Sequence, residues 1–188
     1  MQNPSGTSLP SLYARVMGPE FARLAAPLQH FHSLAGRHEL HGWVEAEAPS
    51  SLPARMLAWC LRTPRRVASG PLRFEIEAAP SREVWTRHFP GRTMRSSFSG
   101  SAAQVFEHLG PARLAFRLVR QDAGLRMHLT SLRFLRIPCP RWLMPQLVAE
   151  ESASDGRLHF RVSASVLLAG TVASYRGYLE LPGMEAAR

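Results

Sequence analysis

Between Gly70 and Leu181 apolar and polar residues alternate in one short run after another, and Pro-Gly, Ala-Gly and Asp-Gly pairs separate the runs. In Leu158–Val166, Leu158, Phe160, Val162, Ala164 and Val166 share one parity, while His159, Arg161, Ser163 and Ser165 share the other. Strand side chains flip with a period of two, so this run has an apolar and a polar face. The pattern predicts strands over 72–78, 83–89, 93–99, 104–108, 112–121, 125–137, 147–152, 157–168 and 172–181. An earlier strand is predicted over 36–48, with Leu40, Gly42, Val44 and Ala46 opposite His41, Trp43, Glu45 and Glu47. Phe89-Pro90-Gly91-Arg92 predicts a type II turn, because Pro suits its second position and Gly its third. Asp122-Ala123-Gly124 and Asp155-Gly156 predict two further hairpin links.

Helical spacing is confined to the first third of the chain. Ser11 is placed to cap a short helix through Met17, with Leu12, Val16 and Met17 on one stripe, and Gly18-Pro19 interrupts it. A further turn is expected over 20–24, ending near Pro27, and 28–34 reads as a connecting segment. Ser50 or Ser51 can cap a helix running to about Arg62, whose Leu52, Met56, Trp59 and Cys60 predict an apolar side closing an end or flank of the sheet. Residues 63–71 form a basic linker with two prolines. Pro138-Cys139-Pro140-Arg141-Trp142-Leu143-Met144-Pro145 reads as a plug or lid, or else as a crossing over the outside. The expected fold is α+β. It is a mainly antiparallel barrel-like or strongly curved sheet of about nine to ten strands, with short N-terminal helices packed on or capping it.

Length changes this picture little: 188 residues suit one barrel-like domain over 11–182, after a flexible leader at 1–10 and before a tail at 183–188. Charge changes it more. The net charge is +9, and all 23 basic residues are Arg. They are spread through every segment without a nucleic-acid-binding motif, so a nucleic-acid partner is not expected. Peripheral contact with anionic lipid surfaces stays open. No apolar run approaches the roughly 20 residues of a membrane span. Cys60 and Cys139 lie far apart and Met1–Pro10 is polar, which together favour a cytoplasmic reading with reduced thiols.

Several motifs are more particular. Trp85-Thr86-Arg87-His88-Phe89-Pro90-Gly91-Arg92, then Ser96 and Glu107-His108-Leu109-Gly110, resembles the bacterial family named domain of unknown function 4166. So do the proline-rich segment 138–145, Glu150-Glu151, Asp155–Val162, Tyr175–Leu179 and the opening Leu12–Gly18, which carries the resemblance over most of the chain. The resemblance implies no activity and no catalytic residues. Members are often fused behind NAD(P)-binding reductases related to saccharopine dehydrogenase, which implies an NAD(P)-dependent reductase as partner. This chain has no Gly-x-Gly-x-x-Gly fingerprint, so no dinucleotide or other cofactor is assigned to it.

Candidate chemistry centres on Arg87, which shares a strand face with Trp85 and Phe89. A guanidinium between aromatics is a surface stack, an internal ion pair or an anchor for a carboxylate or phosphate. Ser96 shares its face with Met94 and Phe98, and Glu107 sits among apolar neighbours that would raise its pKa if it turned inward. Glu150 and Glu151 are adjacent, so at most one faces a cavity. Trp85, Phe98, Phe116, Phe134 and Phe160 are candidate wall residues, and Trp142 and Tyr175 are added to the ligand set. Eight histidines include the close pairs His30/His32 and His38/His41, but no matching ligand motif follows, so no metal is assigned. The reading that results is a barrel holding a small amphipathic or lipid-like molecule with an acidic end. The alternative is a small cofactor-independent enzyme, or an accessory subunit of a reductase, using Glu107 and Arg87 for acid/base chemistry.

Overall fold

The computed structural model describes residues 10–101 and 103–183. The expected leader and tail lie outside the described residues apart from Pro10 and Gly183. Eleven strands follow the alternation: β1 (Gly36–Ala46), β2 (Ala68–Ala79), β3 (Arg82–Phe89), β4 (Arg92–Gly100), β5 (Val105–Leu109), β6 (Ala112–Gln121), β7 (Gly124–Phe134), β8 (Ile137–Pro138), β9 (Gln146–Ser154), β10 (Arg157–Val166) and β11 (Gly170–Glu180). They hydrogen-bond in the order β6-β5-β4-β3-β2-β1-β11-β10-β9-β7, and a β6–β7 pairing closes the circle of ten. β8 hangs on β7 outside it. As a run of successive antiparallel strands predicts, closure gives every strand of the circle a hydrogen-bonded neighbour on both edges, most sparsely at the β7–β9 seam.

The predicted turns account for much of the register. Gly91 has a φ of +72°, as a type II turn requires, and Asp155 and Gly156 take φ of +52° and +72° between the paired Ser154 and Arg157. Two strands end sooner than their apolar pattern suggests. β7 stops at Phe134 because Leu135 and Arg136 turn back at φ of +51° and +69°, and β10 stops before Leu168 at +68°. The wall is also unevenly stitched. β1 pairs with β2 all along its length, whereas β7 meets β9 only at Leu125–Glu151 and Arg126–Glu150. Below those two pairs the seam is held by side chains, among them Met127, Leu147 and Ala149.

One end of the barrel is capped by α1 (Leu12–Met17), a 3-10 turn over Gly18–Arg23, and α2 (Ala26–His32). Ser11 caps α1 through Ala14 N at 3.3 Å. Gly100 lets α1 come close: a Cβ there would meet Leu12 Cδ1 at 3.1 Å and Val16 Cγ2 at 3.2 Å. The segment read as a connection at 28–34 is mostly α2. Pro27, expected to end the preceding turn, instead opens this helix, where its missing N–H costs no bond. Leu12, Tyr13, Leu28, Phe31 and His32 are all buried against the barrel core. Ala25 N donates to Ala123 O at 2.8 Å, tying the cap to the β6–β7 turn.

At the opposite end α3 (Leu52–Leu61) lies beside the start of β11, capped by Ser51 as expected. Its orientation corrects the sequence reading. Ala54 and Ala58 are the buried side, packed on Val172, while Leu52, Met56 and Trp59 face solvent. The helix carries two stripes at the same spacing, and the small one allows the closer approach to the sheet. None of the helices among the described residues is long and apolar enough to cross a membrane.

Candidate functional site

The period of two on β3 sends Glu83, Trp85 and Arg87 to the inside of the barrel. Arg87 Nη1 donates to Ser96 Oγ at 3.0 Å, and its guanidinium lies 5.1 Å from the Trp85 ring centroid and 5.5 Å from that of Phe74. Ser96 sits opposite Trp85 on β4, and the neighbouring inward residue, Phe98, sits opposite Glu107 on β5. Arg87, Ser96 and Glu107 thus come from three consecutive strands. Burial pushes the Glu107 carboxyl up from its ordinary range, against the opposing pull of the Arg87 charge and the Ser96 hydroxyl. Tyr175 enters from β11 with its ring edge-on to Phe89 at 5.2 Å, and burial raises its hydroxyl pKa as well. Among the described residues, Arg87 has no carboxylate partner at ion-pair distance.

These groups border a cavity of about 80 Å³ whose walls include Trp85, Arg87, Phe98, Glu107, Phe116 and Phe160. Pockets for drug-sized ligands are usually about 300 Å³ or more, so this hollow has the room of a small polar group and not of an acyl chain. The aromatics fill the rest. Trp85 and Phe98 lie 4.3 Å apart, Phe31 meets Trp85 at 5.5 Å, and the ring of Phe160 covers the bare backbone of Gly177. A Cβ on Gly177 would sit 2.1 Å from Trp43 O and 2.8 Å from Phe160 Cζ, so only glycine fits there.

The structure brings Trp85, Arg87, Phe98, Glu107 and Tyr175 to this cavity, with Ser96 bonded to the guanidinium. Trp142 is not with them: it sits 69% exposed in a 3-10 turn over Arg141–Leu143, and its segment crosses outside the barrel rather than plugging it. Phe134, a candidate wall residue, packs instead with Ala112 and Leu114 away from the cavity. Glu151 and Glu150 diverge as adjacent strand residues must. Glu151 turns to His32, and Glu150 pairs outward with Arg126 at 3.2 Å.

A second polar cluster lies where the cap meets the lumen. His32 Nε2 and Glu151 Oε2 are 2.6 Å apart, and the Tyr13 ring stacks on His32 at a centroid distance of 3.8 Å. Among the described residues, Tyr13 Oη and His32 Nδ1 have no hydrogen-bond partner. Burial holds the Tyr13 hydroxyl well above its ordinary pKa, and the nearby Glu151 and Glu83 charges add to the shift. Glu83 accepts from Trp85 Nε1 at 3.0 Å, and burial raises its carboxyl pKa too. His32 escapes sequence reading because a seven-residue helix leaves little periodicity. Since that segment is helical, His30 and His32 point apart, His30 to solvent and His32 inward. Glu83 was legible: the parity that turns Trp85 and Arg87 inward applies two residues earlier.

The sequence family described as "Domain of unknown function (DUF4166)" matches residues 24–179. No curated protein matches the chain. Among solved structures, the one titled "Crystal Structure of Rv2717c from M. tuberculosis" superimposes with a TM-score of 0.46 at 9% identity, covering 88% of this chain and 99% of that one.

Proposed function

The chain belongs to the DUF4166 family, whose description names no activity, and we propose that its barrel holds a small ligand by an oxyanion group, in the corner between Arg87 and Ser96. The observation that carries this reading is an inward guanidinium beside a cavity, hydrogen-bonded to a hydroxyl and lacking a carboxylate partner. Arg87 is half-buried; a charge withdrawn from water is costly in proportion unless it is paired, and a bound carboxylate or phosphate would supply the counter-charge. Phe98, Phe116 and Phe160 would then flank the apolar part of the ligand. In an 80 Å³ cavity a lipid-like tail has no room unless Met127, Leu147 and Ala149 part along the weakly paired β7–β9 seam. The reading therefore favours a short acid over a long one.

The test is titration with carboxylic acids of rising chain length, followed by the fluorescence of Trp85 in a variant lacking the other tryptophans and by native mass spectrometry. Binding should be strongest for short acids. Arg87→Met should weaken it by about 2 kcal/mol or more, roughly thirtyfold, while the protein stays folded. Unchanged binding in Arg87→Met, or no acid bound at all, removes the reading.

A second reading rests on Glu107, whose raised pKa and position beside Arg87 suit a general acid or base acting on a molecule in the same cavity. An accessory role beside an NAD(P)-dependent reductase belongs with it. Turnover with a pH-rate limb that disappears in Glu107→Gln would favour this reading over simple binding.

A further inference from the structure

The end of the barrel opposite the α1/α2 cap gathers the connections 47–67, 90–91, 110–111, 135–145 and 167–169. Contacts across it place them together. Ser51 Oγ bonds Ala169 O at 2.5 Å, Arg92 Nε bonds Arg62 O at 3.3 Å, Leu135 N bonds Pro111 O at 3.0 Å, and the Gly110 backbone lies against Cys60 O. Nine of the ten large apolar side chains exposed among the described residues are on these connections, the tenth being Trp43 on the barrel wall. They include Trp59 on α3 at 62%, Trp142 at 69%, Ile137 at 69% and Leu168 at 89%. Leu168 stands at a hairpin tip, and α3 turns its larger stripe outward.

The charges at the same end are one-sided. Arg55, Arg62, Arg65, Arg66, Arg136 and Arg141 stand on these connections, and Glu47 is their only acidic residue. None of the six arginines takes part in an ion pair among the described residues, although Arg23, Arg73, Arg120 and Arg176 elsewhere do. Apolar tips on separate loops, two tryptophans among them and unpaired arginines with long apolar stems are the composition of a surface that enters a membrane interface. A protein partner would need a pocket for each of these scattered tips, whereas a lipid layer conforms to them.

We propose that this end of the barrel docks on an anionic lipid surface, with the exposed residues of α3, the Leu135–Trp142 segment and Leu168 entering the interface and the arginines meeting the head groups. The inference is independent of what the lumen binds. Flotation with vesicles of phosphatidylcholine mixed with phosphatidylglycerol, compared with phosphatidylcholine alone, tests it. The protein should float with the mixed vesicles, at least about tenfold better than with the neutral ones, and high salt should release it. Leu168→Glu combined with Trp142→Glu should abolish flotation, as should Arg65→Glu with Arg66→Glu. Arg23→Glu, which makes a charge change at the capped end, should have little effect. All these side chains are exposed, and an unchanged melting temperature identifies any variant that has merely unfolded. Arg87→Met should leave flotation intact, so failure of the lumen reading and failure of this one are separately visible. No flotation, equal loss with Arg23→Glu, or stable capture of a protein partner without lipid binding overturns the proposal.

Discussion

At the α1/α2 end the large side chains point inward and Glu20 answers two arginines, whereas at the α3 end the large apolar side chains point outward and the arginines of the connections stand without ion pairs among the described residues. Around the cap, Tyr13, Leu28 and Phe31 are at most 2% exposed, and Glu20 answers both Arg23 and Arg120. Around α3, Ala54 and Ala58 are buried against the sheet with Leu57 and Leu61 half-buried beside them, while Met56 and Trp59 reach solvent. A barrel needs each end closed against water only as far as its lumen demands. Here the capped end bears the aromatic cluster with buried His32 and Glu83, and the other end is closed lightly. The difference teaches that one end belongs to the core, whereas the other leaves its large apolar side chains to solvent.

The comparison breaks most readily at Phe31. Phe31→Ala should cost about 3–5 kcal/mol, read from the urea midpoint at constant m-value, because its ring packs on both Phe74 and Trp85. A loss under about 1 kcal/mol would mean the cap is not part of the core. A smaller, pH-dependent effect is expected at Glu83. Its folded pKa is raised, so the folded state holds its proton more tightly than the unfolded chain, and its contribution to stability falls as pH rises above the ordinary carboxyl value of 4.5. Glu83→Gln should therefore be more stable than the parent at neutral pH, with the gap closing as the pH falls towards 4.5. Equal stability at both pH values would mean that the buried carboxyl carries no penalty. The smallest change belongs to the α3 end. Met56→Ser and Leu168→Ser should alter stability by no more than about 0.5 kcal/mol in the free protein, and a larger loss would show that those side chains are packed after all.

Much of the lumen could be read from parity. Trp85, Arg87, Ser96, Phe98 and Tyr175 lie on strands of eight residues or more, so a period of two decides which way each points, whereas Glu107 lies on the five-residue β5. The exceptions fall where that rule weakens. His32 sits in a short helix that pattern alone reads as a connection, and α3 has two stripes of equal spacing, one small and one large. Trp142 lies between prolines, where no period applies, and its apolar bulk misleads. The size of the hollow was also out of reach, because it depends on how Phe98, Phe116 and Phe160 from separate strands fill the same space.

By itself the chain of residues determined the strands, most of their turns and the inward face of each, since these follow from local sterics and from neighbours a few positions apart. Only the tertiary structure decided that β6 meets β7 to close the barrel, that β9 barely joins β7, that His32 reaches Glu151 across 119 positions, and which face of α3 is spent on the sheet. Those outcomes depend on distant surfaces competing for the same contact, and that competition is settled by packing, which no local pattern records.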